Sequence, residues 1–166
     1  MDQKKVLIIG IGNPGRGDDG LGPELIERLR RDPRTPTEFR GTSAWVCEFE
    51  FRYQLNVEDA LAIKDYPLVI FADAATTGDE EAALTEVFPS EAIAFTTHRM
   101  SPAAVLALCH ELYSLTPKAY ILSIRGHQWE LGEGLSSRAE ANLNQALAIV
   151  RKFLALKYIG TRTEFS

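Results

Sequence analysis

A short apolar run, Val6–Ile9, leads directly into a glycine-rich segment near the start of the chain. The glycines follow the pattern G-x-G-x-x-G, which in dinucleotide-binding domains joins the first strand to the first helix. They are Gly10, Gly12 and Gly15. Two acidic residues, Asp18 and Asp19, stand where that helix begins and where a pyrophosphate would lie. Because paired carboxylates repel anions and attract cations, the segment favours a metal-centred site over a nucleotide-centred one.

Strand-like and helix-like segments alternate along the rest of the chain. The predicted strands are Lys5–Gly10, Ser43–Phe49, Leu68–Ala72, Leu84–Phe88 and Tyr120–Ile124. The predicted helices are Gly22–Arg31, a short helix capped by Asn56 and ending at Lys64, Ala103–Leu115 after a Ser101-Pro102 cap, and a long helix from a Ser137–Glu140 capping box to about Leu156. This alternation predicts an α/β fold with a mostly parallel sheet covered by helices on both faces. If the strand order is the common 2-1-3 type, right-handed crossovers place the first strand between the second and the third. Pro89 places the fourth near an edge.

The bulk properties exclude several classes of partner. The length of 166 residues fits one domain, with a core over residues 5–156 and a loose tail at 157–166 that lacks an apolar pattern. A net charge of −5 provides no basic surface for nucleic acid, and no apolar stretch approaches the ~20 residues that cross a bilayer. Cys47 and Cys109 indicate no disulfide framework, so a cytoplasmic location is the simplest assignment.

Three side chains are predicted to meet at the carboxyl edge of the sheet. Asp19 follows the first strand, Asp73 follows the third, and adjacent strands lie only ~4.8 Å apart. His98 lies in the loop before a capped helix, and such a loop can fold over the same edge. Two carboxylates and one imidazole suit nickel, zinc or iron, and three protein ligands leave coordination positions open. Taken singly, Asp73 also fits a turn former and His98 a solvated loop residue. Of the two adjacent acids, we expect Asp18 to serve the loop, Asp19 to face the crevice, and one of them to cap the helix.

The remaining histidines and the two cysteines are weaker candidates for catalysis or binding. His110 is predicted to be structural, and His127 to lie at the surface with a contact to substrate as the alternative. Cys47 and Cys109 lack a neighbouring base in the sequence and are predicted to be core residues. No G-x-S-x-G nucleophile elbow is present.

Together these motifs resemble the hydrogenase maturation endopeptidases, the nickel-dependent proteases that process [NiFe] hydrogenase large subunits. The resemblance runs from about Val6 to Leu156 and rests on five short segments. They are Gly10-x-Gly12-Asn13-x-x-x-x-Asp18-Asp19-x-x-Gly22, Ala72-Asp73-Ala74, His98, Val105-Leu106 and Gly132-x-Gly134-Leu135-Ser136. The stretch from Tyr53 to Ala60 resembles the subgroup that serves cytoplasmic bidirectional hydrogenases.

The resemblance implies a three-layer α/β/α sandwich of the phosphorylase/hydrolase-like type, with a five-stranded, mostly parallel sheet. It also implies the substrate, which is the large-subunit precursor of a [NiFe] hydrogenase after nickel insertion. By this resemblance the enzyme would be an aspartic-type endopeptidase that removes the precursor's C-terminal extension. Asp19, Asp73 and His98 would be both the catalytic residues and the ligands of a nickel ion carried by the substrate, for which zinc or cadmium can substitute in crystals. The first ligand is commonly Glu in the family, so Asp19 shortens the reach by one methylene, and Thr96-Thr97 replaces the Ser-Pro of some relatives.

Two mechanisms and several alternative functions stay open at this point. Either the metal positions the scissile peptide and polarises its carbonyl or a water, which we favour, or one Asp acts as general base on water. Because the ligands bind as carboxylate and neutral imidazole, activity is expected to fall as His98 is protonated. The alternatives are a nucleotide- or flavin-binding module using the glycine loop, with Glu48 or Glu50 as the ribose ligand, a non-cleaving homologue that binds a partner, and a protease of similar fold with another substrate.

Overall fold

The structure is a computed structural model that describes residues 4–35, 45–90 and 100–162, with side chains as far as Leu156. Five strands occupy Lys4–Ile11 (β1), Trp45–Arg52 (β2), Leu68–Ala75 (β3), Ala82–Val87 (β4) and Lys118–Arg125 (β5). Four α-helices occupy Leu21–Arg31 (α1), Asp59–Ile63 (α2), Pro102–Tyr113 (α3) and Ser137–Arg162 (α4), and a 3₁₀ turn, Gly17–Gly20, precedes α1. None of the helices in the described ranges is long and apolar enough to cross a bilayer.

The strands form one sheet in the order β2-β1-β3-β5-β4. β1 pairs in parallel with both β2 and β3, and β3 pairs in parallel with β5. β4 pairs antiparallel with β5 and lies at the sheet edge. The predicted place of the first strand between the second and third is therefore confirmed, as is the edge position of the fourth.

Two apolar clusters cover the two faces of the sheet. Because successive strand residues point to opposite faces, Val6 and Ile8 pack with α1 and α4, whereas Leu7 and Ile9 pack with α2 and α3. All four side chains are buried. This arrangement is the predicted three-layer α/β/α sandwich, and it leaves the two ends of the strands as the places where polar groups can gather.

Two glycines of the N-terminal pattern allow α1 to lie directly on the sheet. A Cβ atom at Gly22 would lie 2.4 Å from the carbonyl oxygen of Ile11 and 2.6 Å from that of Ala72. A Cβ atom at Gly10 would lie 2.5 Å from the carbonyl oxygen of Gly22. The start of the helix therefore touches backbone of both β1 and β3, and these two glycines serve packing within the protein.

Several predicted boundaries were wrong, because local hydrogen bonds decide where a helix starts and stops. Ser136, not Ser137, caps α4, since its Oγ accepts a hydrogen bond from the Ala139 amide at 3.2 Å. The same helix continues to Arg162, past the predicted end at Leu156.

Of the two other helices with predicted caps, α3 has the predicted N-cap residue and α2 does not. α2 begins at Asp59 with Glu58 at the N-cap position, while Asn56 forms a turn upstream of it. Ser101 caps α3 as predicted, with its side chain accepting from the Ala104 amide at 3.1 Å. That helix stops at Tyr113 because Ser114 takes a left-handed conformation, with a φ of 54°.

Candidate active site

A cavity of about 410 Å³ opens at the carboxyl edge of the sheet, above the ends of β1 and β3. The loop after β1 contributes Gly12, Arg16 and Asp19 to its wall, the segment after β2 contributes Tyr53, and β3 contributes Asp73. The two carboxylates predicted to converge therefore line one cavity. At this crevice the connections that follow adjacent strands diverge. This is the usual ligand position in open α/β sheets.

Asp73 lies within β3 rather than after it. The strand continues to Ala75, and Asp73 is in register with Ile11, the last residue of β1. The side chain of Asp73 is half-buried at the cavity wall. The sequence pattern placed the strand end too early because Ala72 is the last fully buried apolar residue of β3.

The Asp19 carboxylate is held by the backbone of the loop that precedes it. The Asn13 amide donates a hydrogen bond to Asp19 Oδ2 at 2.8 Å, and the Asp19 amide donates to the carbonyl of Arg16 at 3.1 Å. Gly12, with a φ of 138°, allows this approach, since a Cβ atom there would lie 1.9 Å from the Asp19 carbonyl oxygen. The position of Asp19 at the cavity is thus built into the fold of residues 12–19.

Asp18 is fully buried and points away from the cavity into a cluster of hydrogen-bond donors. Its Oδ2 accepts from the amides of His127 at 2.7 Å and Gln128 at 2.9 Å and from the Ser136 hydroxyl at 2.7 Å. Its Oδ1 accepts from the Ser136 amide at 2.8 Å. Burial by itself raises the pKa of the Asp18 carboxyl, but the hydrogen bonds from Ser136, His127 and Gln128 outweigh it and hold the pKa below its ordinary value.

The two adjacent acids thus divide as expected, with Asp18 serving the loop and Asp19 facing the cavity. The expectation that one of them caps α1 was wrong. Gly20 occupies the N-cap position, and neither the 3₁₀ turn nor α1 receives a side-chain cap. Asp18 is engaged with the distant Ser136 instead of with the helix that follows it.

The segment between β5 and α4 forms a further wall that the sequence did not predict. Trp129 lines the cavity. Its ring packs against Gly126, where a Cβ atom would lie 2.7 Å from the ring and 2.9 Å from the Asp18 Cβ. The Gly17 amide donates to the Gly132 carbonyl at 2.9 Å, and the Gly132 amide donates to the Gly15 carbonyl at 3.0 Å. In the sequence, only the Gly-x-Gly-Leu-Ser motif at 132–136 marked this segment as functional, and the motif does not indicate a contact with the loop after β1.

His98, the third predicted site residue, lies outside the described residues, as do Thr96 and Thr97. Met100, two positions further along the chain, lines the cavity. Its amide donates to the Leu55 carbonyl at 3.3 Å. Within the described ranges no three His, Cys, Asp or Glu side chains converge into a group that could hold a metal ion.

The other candidate side chains lie away from this cavity. His110 is exposed, with its Nδ1 3.0 Å from the Thr116 hydroxyl. His127 lines a second cavity of about 460 Å³, where its Nε2 is 3.3 Å from the Asn142 amide nitrogen. Burial raises the pKa of the Cys47 thiol to about 12 and also raises that of Cys109, so both are the buried, unreactive thiols that were predicted.

The geometry does not favour nucleotide binding at the glycine loop. In dinucleotide-binding folds the second glycine lets a pyrophosphate approach the backbone. Here the carbonyl oxygen of Asp19 occupies that space over Gly12. Glu48 is bound to Lys5 and Tyr66, and Glu50 is bound to Arg52, so both proposed ribose ligands are engaged within the protein.

The fold is similar to that of solved hydrogenase maturation proteases. No protein-family model and no curated protein sequence matches the chain significantly. The hydrogenase maturating endopeptidase HybD from E. coli superimposes with a TM-score of 0.67 at 20% identity, over 92% of this chain and 93% of that one. The [NiFe] hydrogenase maturation protease HycI from Thermococcus kodakarensis KOD1 gives a TM-score of 0.61 at 21% identity, over 92% and 94% of the two chains.

A third solved structure is an archaeal relative of the same kind. The hydrogenase 2 maturation peptidase from Thaumarchaeota archaeon SCGC_AB-539-E09 gives a TM-score of 0.61 at 18% identity, over 92% of this chain and 99% of that one. These TM-scores and coverages establish a shared fold over almost the whole of each chain.

Proposed function

We propose that this chain is a hydrogenase maturation endopeptidase, which removes the C-terminal extension from the nickel-loaded large-subunit precursor of a [NiFe] hydrogenase. One observation carries the proposal. Asp19 and Asp73, from neighbouring parts of the sheet edge, line one cavity in a fold that the chain shares with proteases of this kind.

The cavity chemistry supports a cation as the group that is recognised. The Asn13 amide donates to one oxygen of Asp19, and the Asp19 side chain lines the cavity. Asp73 adds a second carboxylate from β3. His98 is the proposed third ligand, and its place two positions before the cavity residue Met100 supports that role. Carboxylates with an imidazole suit a borderline divalent ion such as nickel.

In this proposal nickel belongs to the precursor and not to the protease. Three protein ligands leave positions open for the groups with which the precursor already holds its metal. Binding the ion fixes the distance between the protease and the peptide that follows it, so the metal positions the bond to be cut. Asp18 takes no part in the bond-breaking step, because its carboxylate is buried and accepts its hydrogen bonds from the segment between β5 and α4.

The competing mechanism uses one carboxylate as general base on water, with the metal needed only for recognition. The two differ in what a substituted metal does. If the ion polarises the peptide carbonyl or a water, exchanging nickel for zinc in the precursor changes the turnover rate. If an Asp is the base, the exchange changes binding and leaves turnover nearly the same.

The decisive experiment is incubation of the protein with nickel-loaded and nickel-free precursor, followed by mass spectrometry of the products. The expected result is loss of the C-terminal extension from the loaded form alone. The Asp79→Asn variant should cleave the loaded precursor like the wild type, since Asp79 is an exposed acid that lines the second cavity and not the first. Intact loaded precursor after incubation, or equal cleavage of both forms, contradicts the proposal, and stable binding without cleavage identifies a non-cleaving homologue instead.

A further inference from the structure

The cavity also carries a cationic side chain that neither the predicted ligand set nor the proposed reaction uses. Arg16 is exposed and lines the same cavity as Asp19 and Asp73, which are both half-buried. The cavity is thus chemically divided, with two carboxylates in its wall and a guanidinium at its mouth. A ligand that matches both parts presents a cation to the carboxylates and an anion to Arg16.

The backbone of Arg16 is fixed relative to Asp19. Its amide donates to the Asn13 carbonyl at 3.1 Å, and its own carbonyl accepts from the Asp19 amide at 3.1 Å. A parallel β-bridge joins Arg16 to Gly132 in the segment before α4. These contacts hold the base of the side chain in place, so the guanidinium is presented from a rigid part of the loop.

The Arg16 guanidinium makes no ion pair or hydrogen bond with any of the residues that the structure describes. In the same ranges the other arginines with described side chains bind carboxylates or carbonyl oxygens, with the exception of Arg138. The engaged arginines are Arg28, Arg30, Arg31, Arg34, Arg52, Arg125 and Arg151. Arg138 lines the second cavity. Arg16 is therefore available to a ligand at the mouth of the candidate site, and Arg138 provides a matched control outside it.

We propose that Arg16 binds a carboxylate of the segment that is cleaved from the precursor, an inference that rests on the proposed function. A guanidinium binds a carboxylate through two parallel hydrogen bonds, which fixes direction as well as position. Arg16 then holds the departing segment at the cavity mouth while the carboxylates bind the metal. It is a specificity-determining residue in this role and takes no part in breaking the peptide bond. The carboxylate is either an acidic side chain of the segment or its terminal carboxyl group.

The test is steady-state cleavage of nickel-loaded precursor by the wild-type chain and by Arg16→Gln, Arg16→Lys and Arg138→Gln. Loss of a charge-assisted hydrogen bond predicts a KM about tenfold higher for Arg16→Gln, with kcat within about twofold of wild type. The KM of Arg16→Lys is expected to lie between those of the wild type and Arg16→Gln, because an ammonium keeps the charge but loses the two parallel hydrogen bonds. Arg138→Gln is expected to match the wild type.

Altered precursors identify the carboxylate. In one precursor the acidic side chains of the extension are replaced by amides, and in another a neutral Gly-Ser tail displaces the terminal carboxyl group. The precursor that lacks the recognised group shows the higher KM with the wild type and no additional increase with Arg16→Gln. An increase in KM that is the same for every precursor, or a fall in kcat without a change in KM, overturns the assignment.

The two proposals fail in different ways. If the wild type leaves the loaded precursor intact, the proposed function is wrong, and the role of Arg16 falls with it. If the wild type cleaves the precursor and Arg16→Gln does so with an unchanged KM, the protease assignment stands and the Arg16 assignment alone is wrong.

Discussion

Asp18 and Ser136 are joined by two hydrogen bonds across 118 positions of the chain. The Ser136 amide donates to one carboxylate oxygen at 2.8 Å and its hydroxyl donates to the other at 2.7 Å. The same hydroxyl accepts from the Ala139 amide and so caps α4. A single buried pair therefore connects the loop that carries Asp19 to the start of the last helix, and it holds Trp129 at the cavity wall between them.

Asp18→Asn is expected to lower the free energy of unfolding by about 3 kcal/mol, because an amide nitrogen would face donors in a site with no exposure to water. Urea denaturation at neutral pH measures the change. Asp79→Asn, at an exposed acid, is the control and should leave the midpoint unchanged. Equal midpoints for the wild type and Asp18→Asn would show that the buried cluster contributes nothing net to stability.

The stabilising effect of Asp18 should depend on pH in one direction. Its folded-state pKa lies below the ordinary value of 3.8, so the contribution is complete above about pH 4 and is lost as pH falls through the folded-state pKa. The difference in unfolding free energy between the wild type and Asp18→Asn should therefore shrink as the pH falls below about 4. Comparing the two proteins cancels the contribution of Asp32, whose pKa is also lowered, chiefly by its hydrogen bonds to Arg34. A difference that grows on acidification has the wrong sign for this account.

Gly12→Ala is expected to destabilise the fold by about 3 kcal/mol or more, since the added Cβ would lie 1.9 Å from a backbone oxygen that cannot rotate away. Gly78→Ala is a matched control. Gly78 also has a positive φ, of 117°, but a Cβ atom there meets nothing within 4 Å. Both variants carry backbone strain, so the difference between their melting temperatures isolates the collision with Asp19. Similar losses in the two would assign the cost to strain alone.

Asp19→Asn, Asp73→Asn and His98→Ala should each abolish processing of the nickel-loaded precursor without unfolding the chain. An amide keeps the size of a carboxylate and loses the charge that binds a cation, and the half-buried side chains of Asp19 and Asp73 contribute little to the buried core. The readouts are cleavage by mass spectrometry and thermal unfolding by circular dichroism. Retained processing in the variants would remove these residues from the site, whereas loss of cleavage together with loss of the fold would make them structural.

The main features of the fold were predictable because they depend on local pattern. Apolar runs such as Leu68–Ala72 are continuous because a central parallel strand is buried on both faces. With five predicted strands, right-handed crossovers and the common 2-1-3 strand order, β1 was expected between β2 and β3, as it is. The separate roles of Asp18 in the loop and Asp19 at the crevice were also expected, from their position between the first strand and the first helix.

The parts that failed depend on contacts between distant segments. Ser136 rather than Ser137 caps α4 because Asp18 fixes its backbone and hydroxyl, and no local signal at 137–140 reports that contact. The role of Trp129 is equally invisible in the sequence, since it depends on the absence of a side chain at Gly126. Arg16 was not singled out because a lone arginine in a glycine-rich loop has no spacing that indicates its partner.

The Asp18–Ser136 connection also determines when the cavity can form during synthesis of the chain. A ribosome that has made β1, α1, β2 and β3 has produced both cavity carboxylates, yet the wall that contains Trp129 has no anchor until Ser136 emerges. At roughly 5–20 residues per second, several seconds separate these two events. A nascent chain therefore carries its acidic residues in an open groove for that interval, and a competent pocket forms only after Ser136 has left the ribosome.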